Sequence, residues 1–255
     1  MRIAVVGATG NIGGLTRSAL ERDRHDVVPI SRSHGVDAFS GAGLAAALAG
    51  VHAVIDVTNC TARLESENVH FFTTVTKNLL EQERRAGVGH HVTLSIAGVQ
   101  KVRGNPHYAG KRAQEAAVEA GDVPYTIVPA TQFYDFAAMV ASWSERDGTA
   151  EIAPLLVQPV APADVAAVLA EVATGRPQGR HVDVAGPDPH DLVDMARRTY
   201  AARGRPIRLV PTWSGGIFDA AMAGDVLLPG ADARITSTPF DGWLAEERGG
   251  QGQTD

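Results

Sequence analysis

Three glycines open the chain's chemistry. Gly7-Ala8-Thr9-Gly10-Asn11-Ile12-Gly13 follows the apolar run Arg2–Val6 and leads into the amphipathic stretch Ile12–Arg22. Between a strand and a helix each glycine has a task. Gly7 permits a tight turn, Gly10 lets the backbone approach a pyrophosphate with no Cβ in the way, and Gly13 lets helix and strand pack closely. The helix start then offers unpaired N–H groups and the positive end of its dipole to phosphates. Thr9, Asn11 and Ile12 lie inside the same cradle and are expected to share the contacts. The spacing is GxxGxxG, a variant of the GxGxxG dinucleotide fingerprint. A turn with a purely structural role is the competing reading.

The next run, Val27–Ile30, ends in Ser31-Arg32-Ser33. A site that prefers NAD puts a carboxylate about 20 residues past the glycines, where it accepts from the adenosine 2′-hydroxyl. Here Arg32 stands in that place. Its planar guanidinium suits a 2′-phosphate bidentately, with Ser31 and Ser33 as hydroxyl donors. The expected cofactor is therefore NADP(H), with NAD(H) as the second choice. A solvated arginine at a loop tip is the alternative.

Further along stands Asn105-Pro106-His107-Tyr108-Ala109-Gly110-Lys111. Pro106 suits a helix start, and Tyr108 and His107 precede Lys111 at the spacings that share a helical face. A lysine beside a nicotinamide ribose can fix its hydroxyls and lower the pKa of a neighbouring phenol. Tyr108 is the first choice as proton donor and His107 the second; an exposed helix start is the plain alternative. Asn59, after the run Ala53–Val57, is a candidate cofactor contact. Ala130, Thr131, Gln132 and Phe133 follow the run Tyr125–Val128, at the carboxyl edge where open α/β sheets bind ligands. Ala130 is expected beside the cofactor, the other three beside a substrate. His90 and His91 have no third ligand at metal spacing, and no metal is expected.

These residues need a frame to position them. Apolar runs at Arg2–Val6, Val27–Ile30, Ala53–Val57, Val92–Ser95 and Tyr125–Val128 alternate with helical stretches at Ile12–Arg22, Gly43–Leu48, Val69–Ala86 and Lys111–Ala120. Strands apolar throughout suit a parallel sheet buried on both faces, and this alternation implies a doubly wound α/β fold. Beyond residue 130 the rhythm loosens, with helices expected at Phe133–Ser144, Pro162–Thr174 and Asp188–Ala202. Residues 132–248 are read as a substrate-binding lobe on a single domain spanning 1–248, and 249–255 as a frayed tail. The 255 residues carry 23 Lys and Arg against 29 Asp and Glu, a net charge of −6, which lacks the basic footprint of nucleic-acid binding. The one cysteine, Cys60, excludes an internal disulfide framework. No apolar run reaches the ~20 residues that span a bilayer. The N-terminus shows no signal-peptide pattern. The expectation is a cytoplasmic monomer or homodimer acting on a small molecule, with no membrane and no nucleic-acid partner.

The motifs together resemble the atypical short-chain dehydrogenase/reductases, in the NmrA-like and NAD(P)H-binding branch. The resemblance is carried by GATGNIGG at 7–14, Ser31-Arg32-Ser33, and Ala86-Gly87-Val88 leading to His91-Val92-Thr93-Leu94-Ser95-Ile96. Lys111 with Glu115, Pro124-Tyr125-Thr126-Ile127-Val128 and Pro162-Ala163-Asp164-Val165-Ala166 complete it. It implies a Rossmann-like fold with a small C-terminal substrate lobe. It also implies a catalytic Tyr-x-x-x-Lys with a hydroxyl near the end of the preceding strand, here Ser95. Aligned on Lys111, the tyrosine position holds His107, and Tyr108 falls one residue late. The activity so implied is an NADPH-dependent oxidoreductase acting on a small carbonyl, quinone or activated alkene. The alternatives are an NADP(H)-binding sensor without fast turnover, or an isomerase or cyclase on the same scaffold.

Overall fold

The computed structural model describes residues 1–214 and 218–251. The chain divides into two compact units, Met1–Pro129 with Val165–Val182, and Ala130–Asp164 with Asp183–Asp255. In chain order the first unit runs β1 (Arg2–Val6), α1 (Asn11–Arg22), β2 (Asp26–Ile30), α2 (Leu44–Ala47) and β3 (Ala53–Asp56). It continues through α3 (Glu65–Ala86), β4 (His90–Ile96), α4 (Pro106–Glu119) and β5 (Tyr125–Ala130), whose last residue belongs to the second unit. There follow α5 (Phe136–Ser144), β6 (Thr149–Ile152) and β7 (Leu156–Val157) in the second unit, then α6 (Pro162–Thr174), most of it in the first, and β8 (Gly179–Arg180) in the first. The rest of the second unit is β9 (Val184–Ala185), β10 (His190–Asp191), α7 (Leu192–Ala202), β11 (Arg208–Pro211), β12 (Arg234–Ile235) and α8 (Phe240–Gln251).

In the first unit the strand order is β5-β4-β3-β1-β2. β1 pairs in parallel with both β2 and β3, and β3 with β4. This is the doubly wound parallel sheet expected from the apolar runs, and Ile3, Val5, Val54, Ile55, Val92 and Ile127 are fully buried in it. Pro29 sits on the edge strand β2, where a missing N–H costs no ladder bond. The chain leaves β1 first toward β2 and then crosses to β3 on its other side. That reversal creates a crevice beyond the carboxyl ends of β1 and β3. Val6 is level with Ile30 on one side and Asp56 on the other. The segments starting at Gly7, Ser31 and Val57 therefore emerge side by side.

Several elements are longer than the sequence pattern shows. α3 starts at Glu65, four residues before the expected Val69, and β4 takes in His90, His91 and Ile96. The histidines pair locally, so they can be buried. His91 Nδ1 lies 2.9 Å from Glu83 Oε1 and its Nε2 2.6 Å from Thr93 Oγ1, while His90 Nε2 lies 2.8 Å from Thr126 Oγ1. α3 and α4 approach closely at Gly110, where a Cβ would meet Phe72 Cδ2 at 2.6 Å and Asn68 Cβ at 3.0 Å.

In the second unit β6 pairs in parallel with β11, and β7 runs antiparallel to β10. Neither β6 nor β11 carries a sequence signal, because each is short and mixes polar with apolar residues. Tyr134, Phe240 and Trp243 form an aromatic cluster, with Tyr134 Oη donating to the Thr238 carbonyl at 2.6 Å. Asp164, in the first turn of α6, accepts from Thr238 Oγ1 at 2.9 Å. α8 continues to Gln251, into the stretch expected to be frayed; residues 252–255 lie outside the described residues. Among the described residues no helix is long and apolar enough to cross a membrane.

Candidate functional site

The turn from β1 into α1 is held by its own backbone. The Gly7 and Ala8 N–H groups both donate to the Ile30 carbonyl, at 3.0 and 3.3 Å, which ties the turn to the end of β2. Gly7 has φ +83°, and a Cβ there would meet the Val57 carbonyl oxygen at 3.0 Å. At Gly13 a Cβ would stand 2.1 Å from the Gly7 carbonyl oxygen. Both glycines are required by the fold itself. Gly10 is different: it has extended backbone at φ −75° and ψ 169°, and a Cβ would meet only the Gly7 carbonyl oxygen, at 3.4 Å. Nothing inside the chain needs a glycine there.

Gly10 is also the N-cap of α1, with no side-chain cap and no acidic residue in the first turn. The N–H groups of Asn11, Ile12 and Gly13 therefore lack intrahelical acceptors and face a positive dipole end. Thr9, Gly10 and Asn11 are exposed, whereas the Ile12 side chain is buried, leaving Ile12 its backbone N–H as a ligand group. An exposed glycine at an uncapped helix start, with a crevice in front of it, fits a dinucleotide pyrophosphate.

Beside it, Arg32–His34 forms a short 3-10 turn with Ser31 before it and Gly35 closing it at φ 76°. Arg32 is exposed. Ser31 Oγ lies 2.9 Å from Ser33 Oγ and 2.7 Å from His34 Nδ1, so both predicted serines converge with a histidine that the sequence reading did not select. The cluster's residue types, Arg, Ser, Ser and His, match phosphate recognition. His34 has no spacing signal of its own; only the turn's curl brings it back onto Ser31. Asn59 is exposed on the third neighbouring segment, and its Oδ1 accepts from the Cys60 N–H at 2.9 Å.

The α4 candidates are arranged differently. Asn105 caps the helix, accepting from the N–H groups of His107 at 3.0 Å and Tyr108 at 3.2 Å. The Lys111 side chain is buried, with Nζ donating to the Leu94 carbonyl at 2.6 Å and to Gln114 Oε1, and lying 4.8 Å from the Phe72 ring centroid. Burial pulls its pKa down to about 8, against the upward pull of Asp56 and Glu115. His107 packs edge-on to Phe72, and burial with the nearby Lys111 charge lowers its pKa to about 4. It is neutral at neutral pH. Tyr108 is 6% exposed.

The Ser95 hydroxyl, at the end of the strand before α4, donates to Glu115 Oε1 at 2.6 Å and the residue is buried. Arg180 holds the other oxygen of the same carboxylate at 2.5 Å. Two side chains missed in the sequence, Gln114 and Asp56, join this interior: Gln114 Nε2 donates to Asp56 Oδ2 at 2.8 Å. Gln114 follows Lys111 by three residues, a spacing that places it on the same helix face.

The predicted substrate residues Thr131, Gln132 and Phe133, and the predicted cofactor contact Ala130, lie in the second unit. Ala130 is buried and pairs with Val184. Thr131 donates its N–H to the Val184 carbonyl at 2.9 Å and its hydroxyl to the Gln158 carbonyl at 2.6 Å. The Gln132 carbonyl accepts from the Val160 N–H at 2.8 Å, and Phe133 bridges to Val160. A cavity of about 250 Å³ in this unit is lined by Asp135, Met139, Tyr200 and Arg203 among others, and by none of the predicted residues. Among the described residues no three His, Cys, Asp or Glu side chains form a group able to hold a metal.

Residues 34–176 match a protein family described as NAD(P)H-binding. The match begins after the glycine turn and Arg32, so those features stand as independent observations. No curated protein matches the chain. Among solved structures, it is similar to dTDP-4-dehydrorhamnose reductase from Bacillus anthracis in complex with NADP. That likeness has TM-score 0.73 and 14% identity, covering 100% of this chain and 99% of that one. Triphenylmethane reductase from Citrobacter sp., complexed with NADP(H), has TM-score 0.65 and 21% identity over 83% of this chain and 79% of that one. An NADPH-dependent quinone oxidoreductase from Escherichia coli, complexed with NADPH, has TM-score 0.64 and 17% identity over 82% and 78%. At these identities the likeness concerns the fold.

Proposed function

The chain belongs to the NAD(P)H-binding family, and from that premise we propose that it is an NADPH-dependent oxidoreductase acting on a small carbonyl, quinone or activated alkene. The observation that carries the cofactor half is Gly10, a glycine its own fold does not require, set at an uncapped helix start. The N–H groups of Asn11, Ile12 and Gly13 would hold the pyrophosphate, and Asn59 and Ala130 would flank the cofactor. Arg32, Ser31 and Ser33 would hold the 2′-phosphate, which sets the preference for NADP(H) over NAD(H). When bound, the nicotinamide supplies hydride.

The chain's part in the reaction is then to orient the acceptor and move one proton. Thr131, Gln132 and Phe133 would supply contacts to the acceptor. Tyr108 is the donor of choice at neutral pH, because His107, with its pKa near 4, is a neutral imidazole there and too weak an acid to give up its remaining N–H proton. That reading supports a protein that works on a small molecule in the cytoplasm, as a monomer or homodimer.

A second reading is favoured by one observation: the Ser95 hydroxyl and the Lys111 ammonium are bonded to internal acceptors. A site with both groups so engaged suits an NADP(H) sensor that binds without fast turnover. Titration of the purified chain with NADPH, followed by fluorescence and thermal shift, tests the shared premise; no response rejects both readings. Arg32→Ala should then weaken NADPH by about 30-fold while changing NADH by less than about threefold, given the worth of a charge-assisted pair. Equal loss for both would refute the 2′-phosphate role. Steady NADPH consumption with quinones or ketones, lost in Tyr108→Phe, identifies the enzyme. Tight binding without consumption, indifferent to Tyr108→Phe, identifies the sensor.

A further inference from the structure

Lys111 reaches the glycine turn through three links in the first unit. Its Nζ donates to Gln114 Oε1; Gln114 Nε2 donates to Asp56 Oδ2 at 2.8 Å; and Asp56 Oδ1 accepts from the Thr58 N–H at 2.9 Å. The segment at the end of this relay is the one packed on Gly7. A Cβ on Gly7 would meet the Val57 carbonyl oxygen at 3.0 Å and the Thr58 nitrogen at 3.3 Å, and the Val57 N–H donates to the Val6 carbonyl at 3.0 Å. All three relay side chains are buried, Asp56 and Gln114 at 0% exposure and Lys111 at 5%.

Burying an ammonium and a carboxylate costs several kcal/mol per ion by general estimate, and well-packed apolar residues often do as well for stability. Such a pair earns retention when its hydrogen bonds set a geometry that apolar packing leaves loose. The geometry set here is the course of Val57–Thr58 behind the phosphate cradle. Asp56 takes the Thr58 N–H on one oxygen, the Gln114 amide fixes the other, and the Lys111 ammonium orients that amide by engaging its oxygen. A neutral amide between two charges has only one sensible orientation: oxygen to the cation, nitrogen to the anion.

We propose that Lys111 is a positioning residue for the phosphate end of the dinucleotide, acting through Gln114 and Asp56 on the Val57–Thr58 segment that backs Gly7. The proposal rests on the glycine turn being the dinucleotide site. A lysine that clasps the nicotinamide ribose would act at the other end of the cofactor, with its ammonium released from Leu94 and Gln114. The two roles separate when the cofactor is cut in half. Adenosine 2′,5′-bisphosphate keeps the adenosine half, with the 2′-phosphate and one phosphate of the pyrophosphate, and reduced nicotinamide mononucleotide keeps the nicotinamide ribose with the other phosphate.

The test is calorimetric titration of the full chain and its variants with NADPH, adenosine 2′,5′-bisphosphate and reduced nicotinamide mononucleotide. Wild type must first bind NADPH; failure there removes the dinucleotide premise itself, before any variant is compared. Lys111→Met and Gln114→Met are each expected to weaken the bisphosphate by about tenfold, the scale of one lost hydrogen-bonded link. The double variant should lose no more than either single one, and Lys111→Arg should recover part of the loss. Unchanged bisphosphate affinity with a loss confined to NADPH and the mononucleotide overturns the proposal. So do independent losses that add in the double variant. Should Lys111→Met fail to fold, Gln114→Met decides alone, because it leaves the ammonium on Leu94: a weakened bisphosphate supports the relay and an unchanged one rejects it.

Discussion

The β1–α1 turn and the start of α4 are two ways of building a site in one unit of this chain. At the first, the chemistry is backbone: glycines where a Cβ would strike Val57 or Gly7, and helix N–H groups left without caps. At the second, it is side chains, and those side chains already hold one another. Lys111 engages Leu94 and Gln114, and Ser95 engages Glu115. A backbone site is open by construction, since its donors cannot rotate away to find internal partners. A side-chain site is open only if the surrounding fold leaves its groups unspent.

The contrast breaks most easily at Gly13. Gly13→Ala drives a methyl to 2.1 Å from the Gly7 carbonyl oxygen, and the backbone on both sides cannot yield. It is expected to cost about 3 kcal/mol or more in urea unfolding, the upper range for forced overpacking. A variant as stable as wild type would mean that the turn is looser than this packing. The α4 start has its own signature in acid. His107 has its pKa lowered to about 4, so the unfolded chain takes up a proton that the folded chain refuses between its ordinary 6.5 and 4. Stability contributed by neutral His107 is complete above pH 6.5 and is lost as pH falls through that window, by about 2 kcal/mol between pH 7 and 5. His107→Gln should flatten the pH profile of unfolding by that amount. His90, also lowered to about 4 by burial and by the neighbouring His91, contributes in the same window and is the control that stays in place.

Gly10→Ala sharpens the comparison from the other side. Its Cβ has room inside the chain, so the melting temperature should move little, while NADPH binding weakens by about tenfold through the lost approach of the pyrophosphate. Wild-type affinity in this variant would show that Gly10 faces no phosphate. The smallest effect is expected at Ser95→Ala. The variant removes one donor from Glu115, whose carboxylate keeps Arg180, so unfolding should lose about 1 kcal/mol, the net worth of one hydrogen bond. If Ser95 serves only Glu115, the hydride-transfer rate of an active protein is unaffected by this change beyond that stability loss. A fall in rate greater than tenfold with intact NADPH binding would return Ser95 to the reaction.

Much of the architecture was readable because burial on both faces writes itself into strands such as Ala53–Asp56 as continuous apolar runs. Strands β1 to β5 of the sheet, the glycine turn and the Asn105-Pro106 helix start all follow from residue type and local spacing. β6 and β11 were not readable, because a short strand pairing across fifty-odd residues leaves no local pattern. His34 was missed because its partner Ser31 is found only when the chain curls through the 3-10 turn. Gln114 could have been found from its place on the Lys111 face; its bond to Asp56 could not.

By itself the sequence determined where the backbone must bend, which strands are buried, and that a guanidinium replaces a carboxylate after β2. These are one-body properties: a glycine's φ, an apolar side chain, a charge. Only the tertiary structure decided which polar groups were left to act, because whether Lys111 or Ser95 meets a ligand or an internal acceptor depends on residues brought there from other strands and helices. A hydrogen bond is a two-body fact, and its second body is chosen by the fold.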